Sequence, residues 1–116
     1  MSERETFVPR KPRHRINDGV DYRVEFEFGA AGQRVLAQLA DFSRNGCRLT
    51  VDAECLDGDP ATLHLELPQI RRTYALPGSV RWRKRVEDKL SVGLVFQEDA
   101  PLEILGELIL MGVIDQ

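Results

Sequence analysis

The chain has 116 residues, 42% hydrophobic and 30% charged, with a formal net charge of −3. That length suits one domain with one core, and the composition excludes a disordered polymer. Cys47 and Cys55 make neither a disulfide framework nor a four-cysteine metal site, only His14 and His64 stand beside them, and the net acidity argues against duplex nucleic acid.

No apolar run is long enough to cross a bilayer, and the Arg-containing start lacks the apolar segment of a signal peptide, so a cytoplasmic setting is expected. Residues 10–15 read RKPRHR, with four formal positive charges and no acid. The expected domain plan is a flexible basic arm over 1–20, a β-barrel over 21–98 and a helix over 99–114.

Tyr22, Val24, Phe26 and Phe28 alternate with Arg23, Glu25 and Glu27, the pattern of a half-buried strand. Gly29 to Gly32 predicts a turn. Residues 33–40 form a second candidate strand with Val35, Ala37 and Leu39 on one face. Asp41 to Gly46 reads as a break. Cys47, Leu49 and Val51 then alternate with Arg48, Thr50 and Asp52. Residues 53–60 predict a loop, and Leu63, Leu65 and Leu67 a further strand, closed by Pro68.

Residues 71–76 predict an extended segment, bent at Pro77–Gly78. Its continuation puts Val80, Trp82, Lys84 and Val86 inside and Arg81, Arg83 and Arg85 outside. Glu87–Asp88 turns the chain into a last strand through Val92, Leu94 and Phe96. The expected core therefore holds Phe26, Leu49, Leu65, Trp82 and Phe96. Near Pro101 the period changes to that of an amphipathic helix, docked through Leu102, Leu105, Leu108 and Ile109 onto the barrel or a second subunit. The predicted fold class is all-β, a six-stranded antiparallel barrel with a C-terminal α-helix. A closed barrel removes the unpaired edges such a chain would otherwise carry.

Asp41–Phe42–Ser43–Arg44–Asn45–Gly46 has the form D-x-S-x-x-G. Asp41 offers a charged acceptor, Ser43 a donor and an acceptor, and Gly46 a special backbone angle or a close approach. The same residue types are ordinary turn formers. No histidine motif accompanies Ser43, no C-x-x-C is present and no carboxylate spacing identifies acid–base or metal chemistry. The expectation is a non-enzyme with no cofactor.

Together these features resemble the PilZ domain family of bacterial cyclic di-GMP receptors. The likeness rests on the D-x-S-x-x-G motif, on the basic arm before the first strand, on Gly78–Ser79–Val80–Arg81–Trp82 and on the final strand around Val92–Phe96. The family's arm carries R-x-x-x-R. Here Arg15 takes the second position and Lys11 the first, with Arg10 and Arg13 nearby. The resemblance implies cyclic di-GMP as ligand, bound by Arg10, Lys11, Arg13, Arg15, Asp41, Ser43 and Gly46. It also implies signal transduction to an unidentified downstream protein through closure of the arm. An adaptor that does not bind nucleotide and an RNA or single-stranded DNA module are the alternatives, and a homodimer is left open.

Overall fold

A computed structural model describes residues 13–17 and 22–115. The strands are β1 (His14–Arg15), β2 (Arg23–Phe28), β3 (Gln33–Ser43), β4 (Gly46–Val51), β5 (Pro60–Leu67), β6 (Arg72–Val86) and β7 (Lys89–Phe96). One helix, α1 (Leu102–Leu110), follows them. All pairings are antiparallel. The order β3-β2-β5-β6-β7-β4 returns to β3 through its pairing with β4. This is a closed six-stranded antiparallel β-barrel with one C-terminal helix. The short β1 lies outside the ring, paired with β3.

Alternation builds the core as the sequence predicts. Phe26, Leu49, Leu65 and Phe96 are buried, as are Val24, Leu63, Val92 and Leu94. The Phe26 and Phe28 rings stack at 4.8 Å, and Phe42 meets Phe96 at 5.7 Å. The 29–32 turn uses Gly29 and Gly32 at φ +79° and +69°, which favour glycine.

Two strands depart from simple alternation. β3 continues through Asp41 to Ser43 instead of breaking at Asp41, because a register shift between Leu39 and Asp41 inserts Ala40 as a bulge. Only Arg44 and Asn45 form the turn into β4. In β6 the chain runs unbroken through Pro77–Gly78, and the irregularity falls between Val80 and Trp82. A Cβ on Gly78 would lie 2.0 Å from the Val95 carbonyl oxygen, so glycine here allows β7 to approach.

The second bulge corrects the placement of Trp82. With Arg81 as the extra residue, Trp82 pairs with Gly93, whose position points out of the barrel. Trp82 is 39% exposed and is not a core residue. The arginine row is corrected with it. Arg83 and Arg85 take the side of Val92 and Leu90. There Arg83 Nε lies 3.4 Å from Asp57 Oδ1, and Arg85 pairs with Glu54. Both acids belong to the connector between β4 and β5.

The helix face also differs from expectation. Ile104 and Leu108 are fully buried, with Ala100, Val113 and Ile114 beside them, whereas Leu102 is 66% exposed. Leu105 and Ile109 are half-buried against the core. On the other flank, the Tyr74 hydroxyl donates to Glu107 and, at 3.4 Å, to Glu103 Oε2. Arg72 Nη1 meets Glu103 Oε2 at 3.2 Å.

Leu108→Ala should cost about 2–5 kcal/mol in urea melts, through lost burial and a cavity. Leu102→Ala should change stability by no more than about 0.5 kcal/mol. Similar losses for the two would overturn this helix orientation.

Desolvation, followed by the Glu107 hydrogen bond and the nearby carboxylates, pushes the Tyr74 hydroxyl from 10.0 up to about 12. Between those values the folded chain holds a proton that the unfolded chain has lost, so this contribution is present below pH 10 and declines as pH rises toward 12. Tyr74→Phe should flatten the alkaline fall in stability, measured by denaturant melts across that window.

Candidate functional site

The site is assembled on the outer wall of the barrel by β3 and its neighbours. Because Ala40 is bulged, Asp41 faces outward while Phe42 turns in. Arg15 is the cross-strand neighbour of Asp41 on one side and Arg48 on the other. Directly opposed residues share a face. Arg13 Nη1 donates to Asp41 Oδ1 at 2.7 Å, and Arg48 Nε lies 3.3 Å from Asp41 Oδ2. Each carboxylate oxygen thus has its own guanidinium. Among the described residues the Arg15 guanidinium has no ion-pair partner.

The expected ligand residues fall into three groups. Arg13, Arg15 and Asp41 are brought together. Arg10 and Lys11 lie outside the described residues. Ser43 and Gly46 sit within the motif turn and have structural partners there. Ser43 is fully buried, and its hydroxyl donates to Asn45 Oδ1 at 2.7 Å and approaches the Gly46 carbonyl at 3.2 Å. A Cβ on Gly46 would lie 2.2 Å from the Leu94 carbonyl oxygen, so the glycine lets β4 pass close to β7.

The motif turn is tied to the segment before α1. Ala100 N donates to the Arg44 carbonyl at 2.6 Å, and Arg44 Nε donates to the Ala100 carbonyl at 2.9 Å. Beyond α1, Asn17 N donates to the Val113 carbonyl at 2.7 Å, Asn17 Nδ2 donates to the Gly112 carbonyl at 2.9 Å, and Ile16 bridges to Ile114.

The sequence pattern leaves two members of this wall unrecognised, Arg48 and Trp82. Arg48 pairs with Gly93 on β7, and Gly93 pairs with Trp82 on β6. A Cβ on Gly93 would lie 2.3 Å from Trp82 Nε1, so the indole rests on the glycine backbone. One rung therefore carries Arg15, Asp41, Arg48, Gly93 and Trp82. The lone glycine among the apolar residues of the last strand is the sequence signal for that close approach.

A concavity of about 630 Å³ lies between Tyr22, Arg23, Leu36, Thr50, Asp52 and Lys89. Cys47 is buried, and desolvation pushes its thiol well up, which removes the thiolate a nucleophile needs. His64 is half-buried on β5, with Nε2 2.7 Å from Glu27 Oε1. Among the described residues no group of three or more His, Cys, Asp or Glu could hold a metal ion. No helix among them is long and apolar enough to cross a membrane.

Residues 9–110 match the family model for the PilZ domain. The chain belongs to the PilZ domain family. PilZ domains are non-catalytic receptor or adaptor modules associated with cyclic di-GMP and bacterial signalling. No curated protein matches the chain. Among solved structures, the Bacillus subtilis inhibitor of motility MotI/DgrA is similar, with 16% sequence identity and a TM-score of 0.57. The match covers 85% of this chain and 48% of that one, so this PilZ domain spans about half of its length. At that identity the likeness establishes the fold.

Ser43→Ala should lower stability by about 1 kcal/mol through loss of the turn hydrogen bonds. Gly46→Ala should cost more, because β4 must move off Leu94. Thermal melts of both variants check the order, and a harmless Gly46→Ala would show that the approach of β4 to β7 is not demanding.

Proposed function

We propose that this PilZ domain is a cyclic di-GMP receptor. It passes the signal to a partner protein through ligand-dependent ordering of the basic segment that precedes β1. The observation that supports this most directly is the convergence of Arg13, Arg15 and Asp41 on the barrel wall. Arginines with forked donors suit phosphate oxygens and the guanine O6/N7 edge. Asp41 accepts from the guanine N1–H and exocyclic amine once Arg13 leaves it. That exchange is inexpensive, because an exposed ion pair contributes only about 0–1 kcal/mol. Arg10, Lys11 and Arg15 then supply the positive charge around the phosphates. Trp82 adds an exposed ring face on the same wall.

That exposed ring also favours a second reading, a stacking platform for single-stranded RNA or DNA. A titration series separates the two. Calorimetry should show binding of cyclic di-GMP in preference to cyclic di-AMP, GTP and a short single-stranded RNA. Asp41→Ala should weaken binding by about tenfold or more while the fold survives, as expected for a lost acceptor worth about 1–3 kcal/mol. Arg15→Ala should weaken it more than Lys11→Ala, because lysine lacks the planar fork. A folded wild-type chain that gives no heat with cyclic di-GMP would defeat the receptor reading. Equal losses for the two arm variants, with no nucleotide preference, would reduce the arm to a nonspecific basic tail.

A further inference from the structure

We propose that Arg48 is a base-reading residue that selects guanine over adenine at this site; the inference rests on the cyclic di-GMP reading above. Arg48 lies outside both the basic arm and the D-x-S-x-x-G motif. It projects from β4 between Asp41 on β3 and Gly93 on β7. Its side chain is 48% exposed. Its Nε is engaged with Asp41 Oδ2, and among the described residues nothing pairs with its two Nη groups. The outer fork of the guanidinium is therefore presented to the surface while its inner edge is anchored.

The neighbouring position explains why such a fork is useful. Gly93 has no side chain, and the Trp82 indole lies over it. Across β7, the next side chain on that rung is Arg48. Adjacent strands are about 4.8 Å apart, so Asp41 and Gly93, two strands apart, are separated by about 10 Å, a span that accommodates a purine base. An acceptor, a pair of donors and an aromatic face thus follow one another across the wall. Guanine offers matching groups: the N1–H and amine for Asp41, O6 and N7 for the Arg48 fork, and a π face for Trp82. Adenine places an amine donor where guanine has O6, and a donor facing the guanidinium is repelled. Arginine fits this task better than lysine because its donors are planar and fixed relative to one another.

A purely structural Arg48 would only steady Asp41, and the test separates these roles. Wild type, Arg48→Ala and Arg48→Lys are titrated with cyclic di-GMP, with cyclic di-AMP and with an analogue of cyclic di-GMP in which N7 of each guanine is replaced by C–H. Thermal melts of each variant run alongside. Wild type should lose about tenfold in affinity for the N7-lacking analogue. Arg48→Ala should lose at least as much for cyclic di-GMP itself, show no further loss with the analogue and discriminate less against cyclic di-AMP. Arg48→Lys should retain the charge beside Asp41 yet behave like Arg48→Ala in its indifference to N7. If Arg48→Ala is weaker but keeps the full penalty for the analogue, Arg48 only positions Asp41 and the proposal is overturned. Full affinity in Arg48→Ala overturns it as well. A wild-type chain that binds no cyclic di-GMP fails at the earlier step, taking the receptor reading and this one together. If Arg48→Ala does not fold, the N7 comparison between wild type and Arg48→Lys decides.

Discussion

Two inserted residues, Ala40 and Arg81, determine what this barrel shows to its surroundings. Each adds one residue to a strand and thereby exchanges the inner and outer faces beyond it. Ala40 turns Asp41 out and Phe42 in. Arg81 turns Trp82 out, onto Gly93, and swings Arg83 and Arg85 toward the acids of the 52–59 connector. Without these bulges the carboxylate and the indole would compete for space with Leu49, Val92 and Leu94 in the core. The outer face around Asp41 and Trp82 is a consequence of backbone irregularity in an otherwise regular ring.

The same two bulges mark the limit of what the amino-acid pattern reveals. Alternation is a reliable guide where a strand keeps its register, and Phe26, Leu49, Leu65 and Phe96 are buried as it implies. It has no means of registering a single extra residue, which leaves no compositional trace. Trp82 shows the cost: its parity is correct relative to Val80, but the ladder shifts between them. Arg48 was hidden in a different way. It looks like any outward residue on an alternating strand, and only the cross-strand neighbours Asp41 and Gly93 give it a context. The helix face was ambiguous because apolar residues nearly encircle it. Packing of Ile104 and Leu108 decides the matter, a tertiary preference that periodicity cannot resolve.

Electrostatically, an acidic chain presents a locally cationic patch. Arg13 and Arg48 contact the Asp41 carboxylate, and Arg15 is its cross-strand neighbour. Asp41 pairs with the Arg13 and Arg48 guanidinium groups and offsets their mutual repulsion. The D-x-S-x-x-G motif divides its work accordingly. Asp41 faces outward onto the Arg13 and Arg48 guanidinium groups, while Ser43 and Gly46 hold the turn and the strand packing beside it. The motif thus combines one outward-facing carboxylate with two residues that have structural partners in the turn and against β7.

Ring closure has a consequence for how the chain reaches this state. Hairpins join β2 to β3, β3 to β4, β5 to β6 and β6 to β7, yet none of these local pairs completes the circle. Closure needs β2 to find β5 and β4 to find β7, pairing Arg23 with Glu66 and Gly46 with Val95. Such distant partners carry a loop-entropy cost before they return any burial, so the folding rate is governed by these two seams. Gly46, Gly78 and Gly93 all lie along β7 or directly against it. Bulk added at Gly46 obstructs the second seam, whereas bulk at Gly78 or Gly93 disturbs the β6–β7 hairpin; for Gly46 the expected signature is a slow search for closure with exposed strand edges, the condition in which aggregation competes with folding.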